Sequence, residues 1–287
     1  MQFIKSNYIY VLWFILYFSI VWVLLGEDGQ AFMRTLLIYG VSISVALSPI
    51  GEFILRIVEG ARKLRTNEEK EYLLPLFEEV YENAKQENPK ISDNVNIYVT
   101  DDMFVNAFAM GRKTIAVTRG AIETFTPEEL KGVIAHEFGH ISYGHTKALL
   151  LSVIGNAILS VFIVIIRLCS DIFAVLTSTF SNVSFIVVLL NIINYLFKYV
   201  FEIALIGFLY FGQIILSLNS RSNEFQADNF AYNISYGEEL ISALYLLQKI
   251  SVSRKMTLKE RMTSSHPHIA KRIERLENLQ EDLYVNA

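Results

Sequence analysis

Four apolar runs, residues 8–25, 36–55, 148–166 and 183–218, constrain this chain more than any other feature. A helix needs about 20 apolar residues to cross roughly 30 Å of hydrocarbon. Within lipid the backbone must satisfy its own hydrogen bonds, so runs of this length form helices rather than loops or open strands. Composition agrees: 53% hydrophobic residues and a mean hydropathy of +0.37 exceed the usual range of soluble domains. Lys5 ahead of the first run could open a signal peptide. That run is too long and aromatic, lacks a small-residue cleavage site and is followed at once by a second, so it reads as an anchor. The second run weakens at Pro49 and Glu52, and Arg56, Arg62, Lys63 and Arg65 follow it. Basic residues after a span place that end in the cytoplasm. Arg34, on the other side, can snorkel to the interface.

Between the second and third runs stands His136-Glu137-Phe138-Gly139-His140. On a helix advancing about 100° per residue, the two histidines lie about 40° apart and Glu137 faces the same cleft. Two imidazoles and a free carboxylate in this pattern point to a hydrolytic zinc site, with Glu137 as base toward an attacking water. All five histidines fall in two clusters, at 136–145 and 266–268. Thr126, Pro127, Glu128 and Glu129 form a helix start just upstream. His145 lies about 180° from His136 if the helix stays regular, so it reads as structural. With Thr at 146 and Tyr at 143, the longer three-histidine pattern also fails. The third ligand is therefore expected to be a carboxylate. Glu224, in Arg221-Ser222-Asn223-Glu224-Phe225-Gln226-Ala227-Asp228, is the best candidate. Asp228 shares its helical face and suits the outer shell as partner of a ligating histidine; the plainer reading is a solvated acid.

Because His140 and Glu224 must meet at one ion, the chain must cross the bilayer an even number of times between them. One crossing is thus expected for 183–218, long as it is, with the surplus tilted, extended from the bilayer or folded back. Asn194, Lys198 and Glu202 in its first half fit partial exposure or an interior cavity.

Outside the apolar runs, residues 68–85 carry a helical pattern interrupted by Pro75, and 95–100 and 114–118 alternate as strands. The two strands are expected to form a small sheet above the histidine helix. Its edge either binds an extended peptide as an added strand or only covers the core. Residues 235–286 read as a soluble, largely helical tail. A net charge of −4 without a long basic run gives no support for nucleic acid. The single cysteine, Cys169, can form no internal disulfide and reads as an apolar filler.

Together these segments resemble the HtpX-type membrane zinc metalloproteases, relatives of the CAAX prenyl endopeptidases. The zinc helix and the Arg-x-x-Glu-x-x-x-Asp element carry the resemblance. Asn106-Ala107-Phe108 and Ser265-His266-Pro267 with Arg272 add two weaker matches. Phe225 stands where the family often has Tyr, which changes no ligand. The resemblance implies one Zn2+ per chain held by His136, His140 and Glu224, with Glu137 as base. It also implies His266 and Arg272 near the substrate carbonyl or the zinc shell, and Asn106, Ala107 and Phe108 as substrate contacts.

The expected fold is mainly α with a small β-sheet: four transmembrane helices and a zincin-like catalytic domain on the cytoplasmic side. Its parts are an N-terminal transmembrane hairpin (1–58), a first catalytic part (59–147), a second transmembrane hairpin (148–218) and a second catalytic part with the tail (219–287). The expected function is a multi-pass cell-membrane endopeptidase with both termini cytoplasmic. It would act on membrane or unfolded proteins in quality control, with protein or peptide substrate and membrane lipid as partners. One alternative is a processing protease for a specific or lipidated peptide. Another is a non-catalytic interaction protein with a structural zinc, which would need four protein ligands and leave Glu137 without a task.

Overall fold

The computed structural model describes residues 2–26, 28–178, 185–252 and 269–286. Two long helices, α1 (Gln2–Leu24) and α2 (Gly29–Ala46), form the first hairpin. Asp28 caps α2 by accepting from the Ala31 N–H at 2.5 Å. The second apolar run does not continue straight. Pro49 opens a new helix, α3 (Pro49–Val58), capped by Ser48 and bent 71° from α2. A proline disfavours helical geometry at the preceding residue and lacks an N–H to continue the ladder, so the bend falls here.

The bend carries Glu52 onto the turn at Arg112 and Lys113. It is buried, and its carboxylate accepts the backbone N–H groups of Arg112 and of Lys113, the latter at 2.8 Å. Arg56, one turn on, donates to Thr114 Oγ1 at 3.1 Å and lies over the Tyr98 ring. The end of the second apolar run thus docks on the sheet instead of completing a straight crossing.

α4 (Asn67–Glu87) starts with a Thr66/Glu69 capping box and passes through Pro75. The sheet has three strands, one more than the alternation predicts. β1 (Asn96–Thr100) pairs parallel with β3 (Thr114–Thr118), and β2 (Ala107–Met110) pairs antiparallel with β3 to form an edge. β2 lacks the polar alternation that marks a half-buried strand; its pairing through the Gly111 turn creates it. After α5 (Arg119–Thr124) comes α6 (Pro127–Tyr143), with the expected Thr126/Glu129 capping box. Phe138 packs against Phe77 and Tyr81, with ring centroids at 5.6 and 5.8 Å, so α4 and α6 share one core with the sheet.

α6 ends at Gly144, in the left-handed region at φ 73°, where glycine escapes the Cβ clash. α7 (His145–Ser178) departs from there, and α8 (Phe185–Asn233) returns as one unbroken helix. At about 1.5 Å per residue a 49-residue helix is roughly 74 Å long. It therefore carries an apolar segment, Phe185–Gly212, and continues on to pack against α6. The polar residues expected in a cavity or partial exposure face α7. Lys198 pairs with Asp171 at 2.5 Å, Glu202 with Arg167, and Asn194 donates to the Ser170 carbonyl at 3.1 Å. Cys169, read as an apolar filler, is exposed on α7.

Among the described residues two helices, Ala157–Thr177 and Phe185–Gly212, are long and apolar enough to cross a membrane, and the bent pair α2–α3 makes up to three. α1 joins them through Trp13, stacked on Phe208 at 4.8 Å. α9 (Gly237–Val252) and α10 (Ile269–Asn286) close over the catalytic core through Leu240, Leu244, Ile273 and Leu276.

α6 and α8 approach most closely at Gly139, where an added Cβ would lie 2.7 Å from the Cα of Ala227. Gly139→Ala is expected to lower stability by about 1–3 kcal/mol through overpacking, measured as thermal unfolding in detergent. A second prediction concerns acid stability. Arg62 bridges Glu69 and Asp101, and its hydrogen bonds hold the Glu69 carboxyl down at about 2. A depressed folded-state pKa gives stability that is present above the ordinary value of 4.5 and lost as pH falls through about 2. Glu69→Gln should flatten the stability profile in that interval; an unchanged slope would refute the assignment.

Candidate active site

Three side chains from two helices meet at the centre of the catalytic half. His136 and His140 lie one turn apart on α6, and their Nε2 atoms are 3.1 Å from each other. Glu224, from the long helix that returns through α8, places Oε2 3.5 Å from His136 Nε2 and Oε1 3.4 Å from His140 Nε2. A tetrahedral ion with ligand bonds of about 2.0–2.1 Å has ligand atoms about 3.3 Å apart along each edge. The three spacings match that figure, and the residues form a cluster able to hold a metal ion.

The surroundings hold the cluster in register. Asp228, one turn after Glu224, places Oδ1 2.9 Å from His136 Nδ1, leaving Nε2 turned toward Glu224 and His140. Asp228 is almost wholly buried, so the solvated-acid reading is wrong. Arg272 from α10 donates Nε and Nη2 to the two Asp228 oxygens at 2.9 and 2.6 Å and sets Nη1 3.2 Å from Glu224. This fork-on-carboxylate geometry lets a buried guanidinium and two buried carboxylates balance one another. Burial alone would raise the Asp228 carboxyl, but Arg272 and His136 more than reverse this and keep it ionised. Burial and Arg272 oppose a charge on His136, yet its bonds to Asp228 and Glu224 prevail and lift its pKa to about 9.

Glu137 is buried, and its Oε2 accepts the backbone N–H of Ala109 at 2.7 Å. This bond tells which way the edge strand faces. Asn106 bonds inward to Thr118, through Thr118 N–H to its carbonyl at 3.0 Å. By the two-residue period, Ala107 and Ala109 turn their N–H and C=O groups outward along the edge. Asn106 is exposed, Ala107 buried and Phe108 half-buried. Of the predicted segment, the strand begins at Ala107, and Ala109, two positions on, is the contact that the sequence reading missed. Its signal was the edge periodicity itself.

His145 keeps its structural reading, but its position differs from the opposite face that a regular helix predicts. The Gly144 break ends the regular helix, and the buried His145 ring comes within 3.1 Å of His140, Nδ1 to Nδ1. Burial and the neighbouring His140 pull its pKa down to about 3, so the ring is neutral. It supports His140 from behind. His266 lies outside the described residues.

A His-Glu-x-x-His helix facing a carboxylate from a second helix, with long apolar helices attached, defines the class: a membrane-associated metalloendopeptidase. The Peptidase family M48 model matches residues 67–280. The chain belongs to peptidase family M48 and is an HtpX-type membrane metalloprotease. It is 28% identical over 285 residues to a protease HtpX homolog of Bacillus pumilus (strain SAFR-032), covering 88% of each chain. It is 31% identical to protease HtpX of Glaesserella parasuis serovar 5 (strain SH0165), over 71% of this chain and 73% of that one. Among solved structures, the crystal structure of S. mikatae Ste24p shares the fold with a TM-score of 0.55 at 21% identity. That match covers 92% of this chain, which spans 62% of the Ste24p chain.

His136→Ala should abolish stoichiometric metal binding in the purified chain, measured by elemental analysis. Asp228→Asn should weaken metal affinity about 10–100-fold by loosening the His136 ring. Wild-type metal content in His136→Ala would refute the ligand set.

Proposed function

We propose that the chain is a zinc endopeptidase of the cell membrane that cleaves membrane or unfolded proteins at the cytoplasmic surface, in membrane-protein quality control. The observation that carries this reading is the triangle of His136, His140 and Glu224 at tetrahedral edge lengths, with Glu137 on the same helix and held by the Ala109 N–H. A closed structural site would need a fourth protein ligand, and the described cluster has three.

In this proposal His136, His140 and Glu224 hold the zinc, which supplies Lewis-acid polarisation of the peptide carbonyl and a lowered pKa for water. The chain's own residues do the rest. Glu137 takes the proton of the attacking water and returns it to the leaving amine. The Ala109 N–H fixes the rotamer of that carboxylate before substrate arrives. The outward N–H and C=O of Ala107 and the C=O of Ala109 pair with an extended substrate backbone, so recognition rests on main chain more than on side chains. Asp228 sets the His136 tautomer, and Arg272 offsets the negative charge of Asp228 and Glu224 within the buried site. His266 is assigned near the substrate carbonyl by resemblance alone.

For topology we propose four crossings, with both termini and the active site on the cytoplasmic side. Supporting this, α7 leaves and α8 returns to the same catalytic core, so the excursion between His140 and Glu224 holds an even number of crossings. The domain limits proposed are 1–58, 59–147, 148–218 and 219–287. Within the first, α3 belongs functionally with the sheet on which it docks.

Glu137→Gln should retain metal while cleavage of an unfolded membrane substrate falls about 10²–10⁴-fold. Wild-type turnover by that variant would overturn the catalytic assignment.

A further inference from the structure

At the foot of α7, beside the C-terminal end of α6, lies a cavity of about 740 Å³. Three cationic side chains line it from three separate elements: Lys90 after α4, Arg112 in the β2–β3 turn and Lys147 in the first turn of α7. Among the described residues none of the three forms an ion pair, and Glu87, which also lines the cavity, pairs with neither Arg112 nor Lys147. Burial and the charge of Arg112 together depress the Lys147 ammonium below its ordinary value. The two cations therefore stand close enough to repel, the exposed Arg112 beside a half-buried Lys147.

The backbone around them is built, not loose. Gly111 takes φ +60°, and its carbonyl accepts from Thr146 Oγ1 at 2.6 Å. The buried carboxylate of Glu52 accepts the N–H groups of the next two residues. A Cβ on Gly111 would fall 2.1 Å from Glu52 Oε1, so the turn has little room to move. Arg112 and Lys147 are thus held together from two directions, by α3 and by α7. Holding like charges together costs free energy that a bound anion recovers. Ser142 and Gln226 add polar groups to the wall.

The position selects the source of the anion. The apolar run beginning at Ala148 starts at the residue after Lys147, so Lys147 sits where the helix leaves hydrocarbon and phospholipid phosphates are concentrated. We propose that Arg112 and Lys147 form a binding site for the phosphate of an anionic phospholipid headgroup, at the junction of the catalytic half and the second hairpin. This site is separate from the metal cluster and does not depend on the proteolytic reading.

The test uses the full chain purified in detergent, titrated with short-chain phosphatidylglycerol or phosphatidylcholine and read by native mass spectrometry. Wild type should bind phosphatidylglycerol roughly 30-fold more tightly than phosphatidylcholine, at the strength expected for two cations near a headgroup. Arg112→Gln/Lys147→Gln should lose that preference with an unchanged melting temperature, since neither side chain has an ion-pair partner among the described residues. Lys113→Gln, which removes one positive charge from the next residue of the turn, should keep it. Equal loss in Lys113→Gln would reduce the effect to diffuse surface charge and overturn the site. So would an undiminished preference in the double variant. Displacement of phosphatidylglycerol by millimolar inorganic phosphate would overturn the lipid as occupant and assign a soluble anion instead.

Discussion

The catalytic half depends on the close approach of α6 and α8 at Gly139 and Ala227. With a glycine on one side and an alanine on the other, the helices pack nearly backbone to backbone. That proximity lets a carboxylate from α8 reach two imidazoles on α6 within 3.5 Å. Larger residues there would separate the helices by more than the reach of Glu224 tolerates, because ligand distances vary by only about 0.2 Å. The core around Phe77, Tyr81 and Phe138 braces the other face of α6.

Such packing buries charge, and the polar groups beneath the site show how that cost is met. Glu224, Asp228 and Arg272 are all nearly inaccessible to solvent. Each carboxylate would be expensive alone. Arg272 spans both, and Asp228 passes the constraint on to His136 Nδ1. A helix from the far end of the chain is thereby required for the site to be both charged and ordered. The α7–α8 hairpin uses the same rule on a smaller scale, with Lys198, Glu202 and Asn194 each matched by a residue of α7.

The first hairpin reaches the chemistry through the sheet. Pro49 bends the second apolar run, Glu52 captures the turn beyond β2, and the Ala109 N–H on β2 holds Glu137. A short chain of hydrogen bonds and one strand therefore connect a membrane helix to the candidate base. The same turn presents Arg112 to the base of α7, which places the proposed lipid site and the edge strand on one rigid element.

Local pattern carried much of this. The Thr126 capping box, the spacing of His136 and His140, the shared face of Glu224 and Asp228, and the strands at 96–100 and 114–118 depend on residues a few positions apart. Helical and strand periodicities report such relations directly. Parity of crossings between His140 and Glu224 also follows from sequence once both are taken as ligands. Tertiary structure alone decided the rest. β2 is a strand only because β3 pairs with it. His145 turns back to His140 only because Gly144 adopts a left-handed conformation. Glu52, which reads as a flaw in a transmembrane run, is an anchor for a turn 60 residues away. These contacts join segments distant in sequence, and no periodicity within one segment encodes which distant partner will satisfy a buried charge or an open strand edge.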